Sequence, residues 1–144
     1  MIQLFGNMWD IFVEADIFIF TGNSYVRKDG ALVMGRGLAL DIRDKIPELA
    51  YILGDRIKES PKYGLIIEED LGLGVFQVKY HFSDNADLDL IRFSCGILSE
   101  YANTHLDKKI HMNYPGIGYG HLSRESVEPI IRELPDNVHV WSFK

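Results

Sequence analysis

The sequence predicts an α/β domain of three layers, in which helices cover both faces of a mixed, mostly parallel central sheet. Short apolar segments typical of buried strands alternate with longer segments of helical periodicity. Glycine-containing loops join a strand to a helix at two places, as is typical of parallel sheets. One further pair of strands is separated only by a short turn, so these two strands are expected to lie side by side.

The N-terminal part of the chain is predicted to form two strands followed by two helices. Strands are expected at residues 2–5 and 16–20, the second apolar enough to be buried. A helix is expected at 36–46, and Pro47 ends this helix or begins the next, which continues to residue 57. The apolar residues at helical spacing are Leu38, Ala39, Ile42, Ile46, Leu49, Ile52, Leu53 and Ile57.

The remaining elements are predicted in the same way. Strands at 64–67 and 75–80 flank a turn at 70–74. Asp87 is the expected N-cap of a long helix that ends near Ala102, and Ser123 is the expected N-cap of a helix that ends near Leu134. Strands at 109–113 and 138–143 complete the sheet. This order of elements predicts helices on both sheet faces.

Composition indicates one globular domain with a net negative charge. Of the 144 residues, 47% are hydrophobic, which is ordinary for a globular core. A net charge of −6 argues against general nucleic-acid binding, and no apolar run is long enough to span a membrane. The N-terminus lacks a signal-peptide pattern, and the single cysteine, Cys95, cannot form an internal disulfide. We therefore expect a cytoplasmic protein that does not bind membranes.

The segment around residues 15–47 contains the first candidate binding loop. A strand-like run ends at Gly22-Asn23, and the sequence Met34-Gly35-Arg36-Gly37 then precedes a helix. Glycines allow close backbone approach, and the free N–H groups at a helix start attract negative charge. The sequence thus predicts a site for a phosphorylated ligand, although such a loop can also serve only to turn the chain.

A second loop of this kind lies near the C-terminus, at residues 113–121. It follows a predicted strand, precedes a predicted helix and carries glycines at 116, 118 and 120. Alternating glycines can expose successive N–H groups to an anion, or they can simply form a tight connection. Both loops fall at the carboxyl ends of strands, where α/β sheets bind ligands, so together they predict one elongated ligand with its phosphates between them.

In these stretches the sequence resembles the macro domain family, whose members bind ADP-ribose and in some cases hydrolyse its derivatives. The resemblance covers nearly the whole chain and rests on four segments taken in order. They are Gly6-Asn7-Met8-Trp9, the strand ending in Thr21-Gly22-Asn23, the loop Met34-Gly35-Arg36-Gly37-Leu38-Ala39 and the loop Pro115-Gly116-Ile117-Gly118-Tyr119-Gly120.

The sequence departs from the family pattern in two places. Asn7 stands where the family has an aspartate that accepts a hydrogen bond from the adenine amino group, and its side-chain carbonyl can still accept that bond. The first loop resembles the Met-Gly-X-Gly branch, which includes enzymes that remove ADP-ribose from acidic side chains or nucleic acid. Those enzymes pair a lysine with an aspartate after the second loop, where this chain has His121-Leu122-Ser123.

The resemblance implies how ADP-ribose would lie along the site. Adenine would lie toward Asn7, Met8 and Trp9, the diphosphate between the two glycine loops, and the distal ribose toward Asn23 and Tyr119. Trp141 and Phe143 are further candidates for stacking on adenine, although such aromatic residues more often pack in or around a core. The ligand-binding residues predicted are Asn7, Met8, Trp9, Gly22, Asn23, Met34, Gly35, Arg36, Gly37, Ala39, Gly116, Ile117, Gly118, Tyr119 and Gly120.

Three residues are candidates for catalysis: Asn23 to fix the ribose, and Lys79 or His121 to handle charge or protons at the anomeric carbon. Alternation along the strand predicted at 75–80 would put Lys79 and His81 on one face and Tyr80 on the other. Each of the three also has a purely structural interpretation. Asn23 can be a turn residue, Lys79 a solvated residue at a strand end, and His121 a histidine that only forms hydrogen bonds.

The predicted function is binding of ADP-ribose together with hydrolysis of a derivative, either an ADP-ribosylated group or ADP-ribose 1″-phosphate. A non-catalytic ADP-ribose-binding module and a binder of another nucleotide phosphate are the alternatives. The expected partner is ADP-ribose or an ADP-ribosylated molecule. No cluster of His, Cys and Asp residues has the spacing of metal ligands, so neither a metal nor a cofactor is predicted.

Overall fold

The computed structural model describes residues 1–59 and 63–143 and contains one six-stranded sheet between two layers of helices. The predicted three-layer α/β/α class is confirmed. The strands are β1 (Ile2–Phe5), β2 (Ile17–Gly22), β3 (Leu65–Glu68), β4 (Leu73–Gln77), β5 (Ile110–Asn113) and β6 (Val138–Ser142). The helices are α1 (Gly37–Lys45), α2 (Pro47–Glu59), α3 (Leu88–Asn103) and α4 (Arg124–Ile131), with short 3-10 helices at Met8–Ile11 and Gly118–Gly120.

The sheet has the strand order β1-β6-β5-β2-β4-β3. All neighbouring pairs are parallel except β3 and β4, which are antiparallel and joined by a turn. The mixed, mostly parallel sheet predicted from the sequence is therefore present. The carboxyl ends of β2, β5 and β6 reach the same edge of the sheet, which is the edge where both glycine loops begin.

Strand β2 separates two hydrophobic clusters and shows why the sheet needs helices on both faces. Ile17 and Ile19 belong to the cluster that packs against α3 and α4. Phe18 and Phe20 belong to the cluster that packs against α1 and α2. All four side chains are at most 1% exposed, because successive residues of a strand point to opposite faces and both faces are covered.

Two helix starts follow the capping chemistry expected from the sequence. The Asp87 carboxylate accepts hydrogen bonds from the backbone N–H groups of Asp89 and Leu90 at the start of α3. The Ser123 hydroxyl accepts a hydrogen bond from the Ser126 N–H at the start of α4. Such side chains satisfy N–H groups that have no partner within the helix.

The predicted strand at 75–80 is wrong in its bounds. Strand β4 begins at Leu73 and ends at Gln77, so Leu73 and Gly74 lie in the strand and not in the turn. Beyond Gln77 the strand ends, although the Val78 N–H still donates to the Gly22 carbonyl of β2, and the Val78 carbonyl accepts a hydrogen bond from the Asp87 N–H. Alternation therefore does not extend to Lys79 and His81, and their predicted placement on one strand face is also wrong.

Among residues 1–59 and 63–143, no helix is both long and apolar enough to cross a membrane.

Candidate functional site

A cleft of about 770 Å³ lies at the carboxyl edge of the sheet, between the two glycine loops. This volume is within the range of pockets that hold small organic ligands. Most of the predicted ligand-binding residues border it. The segments that line it are residues 6–9, 21–23, 35–39, 78–79, 82–85, 116–121 and 141–143, together with Val33, Asp41, Asn113 and Tyr114.

The first glycine loop presents an uncapped helix start to the cleft. Helix α1 begins at Gly37, and its N-cap residue Arg36 has an extended backbone and makes no side-chain capping hydrogen bond. Gly35, Arg36 and Gly37 are all exposed. The N–H groups of the first helical turn are thus not bonded to a capping side chain, and the helix dipole adds a partial positive charge there.

The glycines of the second loop have different structural roles. Gly116 is buried at φ +80°, and a Cβ atom there would lie 2.8 Å from Ile91 Cδ1, so this glycine is needed for packing as well as for backbone conformation. Gly118 has φ +70°, but a Cβ atom there would meet nothing within 4 Å. The loop therefore requires Gly118 for its backbone shape, and the space around it opens onto the cleft.

The two loops contact each other across the cleft. The Arg36 guanidinium lies 5.5 Å from the centre of the Tyr119 ring, a cation–π arrangement. A Cβ atom built at Gly37 would lie 3.7 Å from the same ring. The Tyr119 side chain is 58% exposed and so remains available to a ligand. Arg36 and Tyr119, predicted separately, are brought together at one point of the cleft.

The predicted adenine end is formed by the short helix Met8–Ile11. The Asn7 side-chain oxygen accepts a hydrogen bond from the Trp9 N–H at 3.0 Å, which caps this helix. That oxygen has a second lone pair, so it could also accept a bond from a ligand. The Trp9 ring stacks on Phe18 at 5.2 Å and lies beneath the Lys45 ammonium, while Met8 is buried. Trp9 thus forms a fixed wall of the cleft.

Asn23 lines the cleft, but its amide already stabilises the loop that follows β2. Its Nδ2 group donates to the Val33 carbonyl at 2.9 Å, and its Oδ1 atom accepts from the Tyr25 N–H at 2.8 Å. Each of these two atoms keeps one further hydrogen-bonding position. The side chain is therefore held in a single orientation from which it could still bond a ribose hydroxyl.

Lys79 lies in the cleft near two charged side chains of opposite sign. Burial and then the positive charge of Arg36 lower the pKa of the Lys79 amine, while the carboxylate of Asp84 opposes this shift. Asp84 borders the same cleft. A larger fraction of Lys79 is thus uncharged at a given pH than of an ordinary surface lysine.

His121, the third catalytic candidate, also borders the cleft and follows the second loop. It is exposed and has φ 62°, which places it in the left-handed region that few residues other than glycine adopt. This conformation lets the chain leave the Gly118–Gly120 turn, whose Gly118 carbonyl accepts a hydrogen bond from the His121 N–H.

Two residues singled out from the sequence lie elsewhere. Met34, predicted to bind the ligand, is 2% exposed and packs in the cluster beside α1 and α2, so it is not among the cleft-lining residues. His81 stacks on Phe82 at 4.2 Å and meets Tyr25 edge-on, outside the lining. Both side chains support the loops that border the cleft.

Sequence reasoning missed several residues that the fold brings to the cleft. Asn113 at the end of β5 accepts a hydrogen bond from the Thr21 N–H at 2.9 Å and donates to the Thr21 hydroxyl at 2.8 Å. The sequence signal for Asn113 was its position as a polar residue at the end of a strand. Nothing local indicated the loop after β4, which contributes Phe82, Ser83 and Asn85.

In the described part of the chain, no group of three or more His, Cys, Asp or Glu side chains is arranged to hold a metal ion.

Several solved structures have a similar fold. The DarTG protein of Thermosipho africanus in complex with ADP-ribose superposes with a TM-score of 0.75 at 20% identity, covering 96% of this chain and 40% of that one. The macrodomain of Thermus aquaticus DarG gives 0.73 at 18% identity, over 99% of this chain and 97% of that one. The macrodomain of Mycobacterium tuberculosis DarG gives 0.72 at 20% identity, over 97% of each chain.

This chain therefore spans less than half of the Thermosipho protein but nearly all of the two other domains. No model of a known family and no curated protein sequence matches it. At these identities the likeness concerns the fold.

Proposed function

The chain has the macrodomain fold, and from this premise we propose that its cleft binds ADP-ribose. The observation that carries the proposal is the meeting of two glycine loops at one cleft, one of them opening an uncapped helix start. The diphosphate would lie between these loops, adenine beside Asn7 and Trp9, and the distal ribose beside Asn23 and Tyr119. ADP-ribose is also the ligand named for the Thermosipho structure.

The net negative charge of the domain implies that an anionic ligand is held by hydrogen-bond donors close to it. The net charge of −6 disfavours a diphosphate at long range, so the attraction must come from nearby groups. Backbone N–H groups of both loops and the Arg36 guanidinium are suited to this, because hydrogen bonds to charged oxygens are stronger than neutral ones. Arg36 lies over the Tyr119 ring and so is already drawn toward the cleft.

We further propose that the protein hydrolyses the bond that joins the distal ribose to an ADP-ribosylated group. Uncharged Lys79 would accept a proton from a water molecule as the water oxygen bonds to the anomeric carbon. The bond to the attached group would break at the same time, and that group would leave with the electron pair. Asn23 would fix the ribose during this step.

Asp84 is the observation that favours hydrolysis over simple binding. The sequence has no aspartate directly after Gly120, yet Asp84, in the loop after β4, borders the same cleft as Lys79 and its charge acts on the Lys79 amine. A lysine whose pKa is lowered in a cleft beside a carboxylate is a frequent feature of catalytic sites. The alternative, a module that only binds ADP-ribose, is favoured by the engagement of Asn23 with Val33 and Tyr25.

Calorimetric titration with ADP-ribose is the direct test of binding. We expect a dissociation constant of about 1–100 μM for ADP-ribose, weaker binding of ADP and no detectable binding of AMP, because AMP lacks the diphosphate and the distal ribose. An absence of heat with ADP-ribose would contradict the proposal. Turnover is then assayed with an ADP-ribosylated glutamate peptide and with ADP-ribose 1″-phosphate, and release of ADP-ribose from either one would separate an enzyme from a binding module.

The pH dependence of turnover tests the role of Lys79. Because only uncharged Lys79 can accept a proton, kcat is expected to rise with pH through the pKa of this amine, which lies below that of an ordinary lysine. Arg36→Met removes a charge that lowers this pKa and should move the rise to higher pH. Asp84→Asn removes a charge that raises it and should move the rise to lower pH. Equal profiles for both variants and the unchanged protein would contradict the role of Lys79 as base.

A further inference from the structure

His111 and Trp141 form a hydrogen-bonded pair beneath the predicted adenine end of the cleft. His111 lies on β5 and Trp141 on the neighbouring strand β6, and the Trp141 Nε1–H donates to His111 Nδ1 at 2.9 Å. Trp141 borders the cleft, whereas His111 does not. A Cβ atom built at Gly6, next to Asn7, would lie 3.7 Å from Trp141 Cζ3, so the indole lies against the segment that would hold adenine.

The hydrogen bond determines the protonation state of His111. An indole nitrogen can only donate, so His111 Nδ1 must be the acceptor and the ring proton must be on Nε2. A doubly protonated ring would present an N–H group to the indole N–H and break the bond. Burial, together with the charges of His139 and Lys109, lowers the pKa of His111 to about 4, against an opposing effect of Asp16. The acceptor atom is therefore available at neutral pH.

The His111 ring is also held by packing. It stacks on the His139 ring with centres 4.6 Å apart and an interplanar angle of 14°. His111 is 7% exposed, so its ring has little room to move. Trp141, by comparison, is only partly buried at the edge of the hydrophobic cluster beside α1 and α2. The hydrogen bond from the indole therefore holds the partly buried Trp141 ring in place against the more firmly packed His111 ring.

We propose that His111 is a positioning residue that fixes the Trp141 indole as a second aromatic wall, besides Trp9, at the adenine end of the cleft. This inference rests on the proposed binding of ADP-ribose. His111 itself touches no ligand; it acts by holding the indole plane in one orientation. A purine has a flat face that gains most from an aromatic wall already in place, because no rotamer freedom of the wall is then lost on binding.

The affinity test compares two substitutions at His111 in the otherwise unchanged protein. His111→Leu removes the acceptor and should weaken ADP-ribose binding about tenfold, because the indole loses its partner and its fixed orientation. His111→Asn is the matched variant, since its side-chain oxygen can replace Nδ1 as acceptor, and it should retain affinity within about threefold. The double variant His111→Leu with Trp141→Phe should bind ADP-ribose only slightly more weakly than Trp141→Phe alone.

A second readout needs no ligand. The chain has two tryptophans, so Trp9→Phe leaves Trp141 as the single indole emitter. In that background, His111→Leu should shift the Trp141 emission and increase its quenching by acrylamide. His111→Asn should leave the emission and the quenching close to those of the protein with His111. Unfolding curves of each variant, recorded on the same samples, establish that the folded state is being compared.

The outcomes separate the inference from the proposed function. Unchanged emission and quenching in folded His111→Leu would overturn the inference, and so would a changed emission with unchanged ADP-ribose affinity. If the unchanged protein bound no ADP-ribose, the proposed function would fail. The Trp141 emission would then still decide whether His111 positions the indole.

Discussion

Replacing Gly118 with valine is expected to weaken ADP-ribose binding on the order of 100-fold or more while the fold persists. At φ +70° a β-branched side chain is strongly disfavoured, so residues 117–119 must adopt another backbone path. In the proposed binding mode, that path would turn N–H groups away from the diphosphate. Two lost hydrogen bonds to charged oxygens, at about 1.5 kcal/mol each, account for a change of this size.

The fold should persist because a Cβ atom at Gly118 would contact no other group within 4 Å. Gly96→Val is the matched control, because Gly96 lies exposed on α3, away from the cleft, and is equally open around its Cα atom. Gly37→Val, at φ +57° in the first loop, should resemble Gly118→Val. Calorimetric titration and thermal unfolding of the three variants provide the comparison, and undiminished affinity in Gly118→Val would refute the binding mode.

Replacing Lys79 with methionine is expected to lower turnover by about 10²–10⁴-fold and to change ADP-ribose affinity only a few-fold. Methionine keeps much of the length and apolar stem of lysine but cannot accept a proton. In the proposed binding mode, affinity depends mainly on the backbone N–H groups of the two loops, which this substitution leaves in place. Steady-state turnover of the ADP-ribosylated glutamate peptide and titration with ADP-ribose measure the two effects separately.

Lys58→Met is the control for the loss of one surface lysine, since Lys58 is exposed on α2 and does not border the cleft. If Lys79→Met retained full turnover while His121→Gln lost it, His121 would be the base and the assignment of Lys79 would be wrong. If neither the unchanged protein nor any variant turned over a derivative while ADP-ribose bound well, the protein would be a binding module.

The types of the main elements could be predicted from the sequence because they depend on neighbouring residues. Ile17 and Phe18 alternate along a strand that is covered on both faces, and Asp87 and Ser123 cap the helices that follow them. The glycine loops were likewise local signals. Their positions after β2 and β5 placed both at the carboxyl edge of a parallel sheet before any contact was known.

The end of β4 could not be predicted in this way. The residues from Val75 to Tyr80 alternate as a strand does, but strand β4 ends at Gln77. The Val78 N–H still donates to the Gly22 carbonyl, and the Val78 carbonyl then accepts from the Asp87 N–H. Whether a strand continues depends on its neighbours, and the β2 strand that pairs with β4 ends at Gly22. Lys79 therefore faces the cleft and His81 packs on Phe82.

By itself the sequence determined the α/β class, the capped helices and the two glycine loops, because each follows from spacing and backbone preference within a few residues. Only the tertiary structure decided which side chains meet. Asn113 bonds Thr21 across 92 positions, and Trp141 bonds His111 across 30. Asp84 reaches the surroundings of Lys79 because the chain turns after β4. Such contacts depend on strand order and on where strands end, which are properties of the folded sheet that no local pattern encodes.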